Sequence, residues 1–148
     1  MALPATEKLF SSAAIKMYDF DPDSADAVDI AWVDMRDYEN FACAFFRTIG
    51  TGALDTFKIL ANTASDGSGT DRVIKTHAVA SEPNALGDQI FLECSAEEIA
   101  QTGADNSEDL RYVTASVEFA TSTDEGVVLY ERFNPRFAKT GLTADIVA

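Results

Sequence analysis

Between Leu110 and Phe119 the chain alternates, with Val113, Ala115, Val117 and Phe119 apolar and Tyr112, Thr114, Ser116 and Glu118 between them. A period of two marks a strand with one buried face and one face that is at most partly wet. The stretch has no internal Gly or Pro and reads as a central strand. Just ahead of it, Ser95-Ala96-Glu97-Glu98 has Ser at an N-cap position and Glu three residues later. That is capping-box spacing, and it predicts a short helical turn linking two sheets, followed by an acidic loop from Thr102 to Asp109.

The same alternation predicts a first strand over Ala13 to Phe20 and a second over Asp29 to Val33. Asp34 to Glu39 is too short for a stable helix and predicts a turn that places Tyr38. In Phe41 to Ile49, Phe41, Cys43, Phe45 and Ile49 share one parity, while Ala42, Ala44 and Phe46 are nearly as apolar on the other. Both faces should be covered, as for a strand between a core and a partner surface. Gly50-Thr51-Gly52 predicts a tight turn, with Leu54 to Leu60 returning as the hairpin partner. Residues 61–70 read as a polar surface loop and Asp71 to Val79 as a strand carrying the single histidine, His77. In Asp88 to Cys94, the pattern puts Ile90, Leu92 and Cys94 inward and Gln89, Phe91 and Glu93 outward. Val127 to Phe133, apolar on both parities, is expected to pair back on the central strand. The predicted organisation is an N-terminal arm at 1–12, a domain at 13–133 and a tail at 134–148.

Composition narrows what such a domain can do. A chain of 148 residues with 47% apolar residues, ten Phe and four Tyr has enough material for a core and needs no staple. Net charge is −14, from 25 acids against 11 bases. A phosphate backbone and an anionic membrane surface both call for a basic face, so neither nucleic acid nor membrane is expected as partner. From Glu82 to Asp109 there are eight acids and no base. Cys43 and Cys94 fall in apolar alternating runs and read as buried, reduced thiols. The opening residues lack the apolar core of a signal peptide, and no run is long enough to span a membrane.

The same residues form no recognised catalytic or metal-binding pattern. The aspartates Asp19, Asp21, Asp23 and Asp26 lack the glycine of a calcium hand, and Ile30 stands where its last ligand would be. The glycines of residues 61–70 lack the phosphate-loop pattern and its lysine. His77 would be the sole base for Ser81, Ser95 or either cysteine, and no GxSxG elbow occurs. The expectation is therefore a non-enzyme with no catalytic residue, no cofactor and no metal. A carbohydrate-binding module, using strand aromatics such as Trp32 or Tyr112, and a hydrolase are the readings from other classes.

Trp32-Val33-Asp34 followed by Tyr38, the small-residue loop of residues 61–69, Ala96-Glu97-Glu98-Ile99 and Arg111-Tyr112-Val113 occur in that order. Over about Asp29 to Phe133 this layout resembles a family of small tailed-bacteriophage virion proteins that decorate or stabilise the head. The resemblance implies an all-β fold, a jelly-roll-like antiparallel β-sandwich of about eight strands with one short helical turn. It also implies a homo-oligomer, trimer favoured, on the major capsid protein of the virion surface, made in the host cytoplasm. A tail, collar or head–tail connector component is the alternative within that class. Phe10 in the arm, and Arg132, Arg136, Phe137, Lys139, Leu142 and Ile146 toward the C-terminus, are the candidate subunit or capsid contacts. They combine bulky apolar side chains with the only locally basic stretch of the chain.

Overall fold

The structure, a computed structural model, describes residues 13–20, 27–52, 54–77, 87, 89–121 and 123–136. In chain order the elements are β1 (Ala13–Phe20), β2 (Val28–Asp29), β3 (Val33–Asp34), β4 (Tyr38–Ile49), β5 (Leu54–Asn62), β6 (Arg72–His77), β7 (Gln89–Ser95), α1 (Ala96–Asn106), β8 (Tyr112–Phe119) and β9 (Glu125–Pro135). They form an all-β sandwich. One sheet has the order β1-β9-β4-β7, and the other has β2-β8-β5-β6 with β3 also on β8.

Among the described residues every strand pairing is antiparallel. If β2 and β3 are taken as two halves of one edge strand, the pairs β1–β9, β2/β3–β8, β4–β7 and β5–β6 nest inside one another. This nested, wrapped pairing is a jelly roll. It corrects two sequence expectations. β5 does not return on β4, and β9 does not return on β8; in both cases the turn carries the chain across to the opposite sheet. Alternation sets which face a residue occupies, but it does not choose the neighbouring strand.

Two of these crossings, β4 to β5 and β8 to β9, meet at a buried ion pair. Arg47 Nη1 lies 3.0 Å from Asp124 Oδ2, with the two side chains 0% and 2% exposed. Arg47 also donates from Nη2 to the Gly52 carbonyl at 2.6 Å and stacks over the Phe119 ring at 4.8 Å. Gly50 has φ +90°, and a Cβ there would stand 1.6 Å from Asp124 Oδ1. Only glycine fits that approach. Beneath this corner Phe20, Phe45, Phe57 and Phe119 pack ring against ring, with centroids 5.4–6.5 Å apart.

The edge strand expected over Asp29 to Val33 is broken instead. β2 and β3 pair with β8 in registers that differ by one residue, so the segment between them bulges away. Tyr130, on the opposite sheet, fills the gap. Its hydroxyl accepts from the Ala115 amide at 2.6 Å and lies 3.1 Å from Thr114 Oγ1, which in turn accepts from the Ala31 amide. Burial raises the Tyr130 phenol pKa far above its ordinary value, so it stays protonated. Cys43 and Cys94 are free and buried in the core, as expected. Burial pushes both thiols up, Cys94 to about 12.

The Ser95 turn does link the two sheets, but it is a full helix, and it runs through half of the predicted acidic loop. Both halves of the capping box form, Glu98 N to Ser95 Oγ at 3.2 Å and Ser95 N to Glu98 Oε2 at 2.9 Å. Ser107 ends the helix in the left-handed conformation with φ 57°. Gly103 sits inside because a Cβ would stand 2.6 Å from the Glu108 carbonyl oxygen.

Asp124→Ala leaves a buried guanidinium without its carboxylate and should cost about 3–5 kcal/mol. The double variant Arg47→Met, Asp124→Leu should lose less in the same urea titration, since it leaves no orphaned charge. Tyr130→Phe strands the Ala115 amide inside the core and should cost about 1–3 kcal/mol, measured the same way.

Candidate functional site

The two strands whose sequence is apolar on both parities, β4 and β9, lie side by side in the middle of the four-stranded sheet. Their inward positions, Phe41, Cys43 and Phe45 on β4 with Val128 and Tyr130 on β9, are at most 2% exposed. The alternate positions therefore build the outer face. Register places Met17 beside Leu129, Leu129 beside Ala44, and Ala44 beside Phe91. An unbroken apolar row thus crosses all four strands, from β1 through β9 and β4 to β7.

At its two ends Met17 and Phe91 are 64% and 60% exposed. In the middle Ala44 is only 2% exposed, so the exposed part of the row is carried by the larger side chains on either side of it. The next row on one side holds Asp19, Val127, Phe46 and Gln89, and Phe46 packs edge-on against Phe91 at 6.2 Å. On the other side stand Ile15, Glu131, Ala42 and Glu93. The apolar row is thus rimmed by three acids, Asp19, Glu131 and Glu93. The central strands of the other sheet carry Thr56, Lys58, Leu60, Thr114, Ser116 and Glu118 on the alternate parity, mostly polar, with Leu60, Thr114 and Ser116 buried. The asymmetry between the two faces is a property of side-chain chemistry, since the backbone layers are alike.

A second feature occupies one end of the sandwich. An open cleft of about 340 Å³ is lined by Met35, Arg36, Ile99, Leu110, Arg111 and Arg136 among others. Arg111 reaches Asp34 through Nε at 3.0 Å and Nη2 at 2.5 Å, and Arg36 contacts the same carboxylate at 3.2 Å. These guanidinium charges are largely answered within the chain. Helix α1 forms one wall of the cleft and is latched to β6 by Lys75–Glu98, while the two-pronged Arg72–Glu108 pair at 2.7 and 2.9 Å holds the turn just after the helix on the same strand.

Of the candidate contacts read from sequence, Arg132 and Arg136 are described. Arg132 is used at home: it donates to the Asp34 carbonyl at 2.8 Å and stacks over Tyr38 at 4.9 Å. Arg136 is exposed, its amide held on the Asp37 carbonyl at 2.9 Å. Phe10, Phe137, Lys139, Leu142 and Ile146 lie outside the described residues, as do Asp21, Asp23 and Asp26. Met17, Leu129 and Phe91 were missed as contacts. Their signal was present in the outward parity of Phe91 and the two-sided strands, but the register that aligns them was not. Among the described residues no group of three or more His, Cys, Asp or Glu converges to hold a metal, and no helix is long and apolar enough to cross a membrane.

No protein-family model and no curated protein matches this chain. Among solved structures it is similar to a protein of Bacillus endospore appendages, described as a novel family of disulfide-linked pili. That likeness has 15% identity and a TM-score of 0.34, covering 90% of this chain and 96% of the other. It is also similar to the CBM22-1–GH10 modules of Clostridium thermocellum xylanase 10B, crystallised with xylohexaose. There the identity is 9% and the TM-score 0.39, covering 89% of this chain and 28% of the other. Both likenesses are distant, and neither bears on what this chain binds or does.

The helix latch generates a pH prediction. The Lys75 ammonium and the Ser95 amide hold the Glu98 carboxyl below its ordinary pKa of 4.5, and the Arg72 guanidinium does the same for Glu108. A carboxyl depressed in the folded state contributes stability that is fully present above about 4.5 and is lost as pH falls through the lower folded value. Amide exchange of α1 should therefore speed up relative to that of β4 as pH drops below about 4.5. Glu98→Gln should flatten that dependence, and unchanged helix protection at pH 3 would contradict the latch.

Proposed function

We propose that this chain is a structural subunit of a bacteriophage virion, a protein that decorates and stabilises the head as a homo-oligomer on the major capsid protein. The observation that carries the reading is the apolar row Met17–Leu129–Ala44–Phe91 on an outer sheet face. A contiguous apolar surface rimmed by polar groups marks a protein contact. Here it lies on an open sheet face, outside the clefts beside α1, which suits a lattice neighbour better than a small ligand. The motif layout from Trp32 to Val113 supports the same class, and the jelly roll is a fold that virion proteins use. The proposal includes no catalytic role.

The sugar-binding reading finds less support. Trp32 lies against the β5–β6 loop, where its Nε1 is 2.4 Å from the position a Cβ on Gly67 would take. Tyr112 has the Arg111 guanidinium 5.0 Å above its ring. Neither aromatic lines the two clefts beside α1.

Quantitative mass spectrometry of purified virions tests the proposal. A copy number in fixed proportion to the major capsid protein is the expected result. A handful of copies per particle would move the protein to a tail, collar or connector position, and its absence from particles would overturn a virion role.

A further inference from the structure

We propose that the apolar row on the outer face of the four-stranded sheet receives the C-terminal segment of a neighbouring copy of this chain, residues 136–142, with Phe137 against the exposed Phe91. The proposal rests on reading the chain as a subunit of an assembly and names what covers its exposed sheet.

Charge selects the occupant first. The row is flanked by Asp19, Glu131 and Glu93, and the chain as a whole carries −14. Two copies meeting through the same face would set acid rim against acid rim, a juxtaposition that costs free energy. The fitting occupant is apolar and basic. Residues 136–142, RFAKTGL, combine Arg136 and Lys139 with Phe137 and Leu142 and contain no acid. Residues 72–78 share that make-up, but there Arg72 and Lys75 are already paired with Glu108 and Glu98 within the chain, and residues 132–138 overlap β9.

Geometry then decides whose segment it is. The Arg136 amide is fixed on the Asp37 carbonyl at the end of the sheet. From there to Leu129 is about 23 Å of extended strand at roughly 3.3 Å per residue. Phe137 follows Arg136 directly, and one residue advances the chain by less than about 4 Å. It cannot reach the row on its own sheet. A neighbour that abuts this face with its Arg136 end can deliver Phe137, Lys139 and Leu142 together, with the two bases over the acid rim. Donor and acceptor are different surfaces of the same chain, so the contact is head-to-side.

Sedimentation velocity over a concentration series, with circular dichroism to confirm folding, tests this on the full chain. Phe91→Ser and Phe137→Ser should each raise the dissociation constant by about tenfold or more. Combining them should cost little beyond either alone, because each removes one side of one contact. Glu93→Lys should weaken association, and adding Lys139→Glu should restore part of it. Mixing the Phe91→Ser chain with the Phe137→Ser chain is the sharpest arm. One has an intact tail and the other an intact row, so the mixture should regain paired species that neither forms alone.

Weakening by Phe91→Ser but not by Phe137→Ser would overturn the proposal in favour of another occupant. A parent chain that stays monomeric, or a mixture that regains nothing, would overturn it as well. The outcome is separable from the virion reading. A chain that couples Phe91 to Phe137 yet is absent from particles keeps this contact and loses that function, and a virion protein without the coupling does the reverse.

Discussion

Two sheet crossings of this jelly roll close on the same charged contact, Arg47 against Asp124, with both side chains taken out of water. Burying two ions is costly unless their remaining hydrogen-bonding capacity is met. Here the Gly52 carbonyl and the Phe119 ring take part of the guanidinium. The glycine at position 50 is there because the aspartate occupies the space a side chain would need. Turn chemistry, corner geometry and the phenylalanine cluster below are therefore consequences of one pairing. A hydrophobic replacement could match its stability, but it would not fix where the β4–β5 and β8–β9 crossings sit relative to one another.

The sequence revealed faces more readily than partners. Alternation correctly put Val113, Ala115, Val117 and Phe119 inside, Phe91 outside and both cysteines in the core, because solvent exclusion acts residue by residue along a strand. It could not show that β4 and β5 belong to different sheets, since a short glycine turn serves a hairpin and a crossing equally well. The capping box marks where α1 begins but not how far it runs, since Gly103 and the acids near its end weaken local helix preference. What sustains it is tertiary: the ion pairs to β6, and the tight approach of Glu108 to Gly103. The outer apolar row was half legible, in the two-sided composition of β4 and β9, while its alignment depends on four strands distant in sequence.

The two outer faces show how one scaffold separates stability from contact. The polar face carries hydrogen-bonded pairs such as Thr56 with Glu118 at 3.0 Å, which water can solvate without cost. The opposite face leaves Met17 and Phe91 uncovered, although the core beneath it is already complete. Apolar side chains there add nothing to the sandwich's own interior. Their presence bears on what the surface meets, and the surrounding acids restrict that partner to one of suitable charge.

The nested strand pairing also dictates the order in which the chain can become a protein. β1 pairs with β9 throughout, Ala13 opposite Phe133 and Phe20 opposite Gly126, so among the described residues the first strand has its ladder with the last. During synthesis β1 has to wait for its partner until β9 has left the ribosome. The β5–β6 hairpin is the only pairing between strands adjacent in sequence among the described residues, which makes it the natural place to begin. Growth outward through β4–β7, β2/β3–β8 and β1–β9 closes progressively longer loops, and such topologies fold slowly. Until the last strand arrives, β4 exposes the edge that β9 will cover, the site where nascent copies are most prone to pair with each other instead of with themselves.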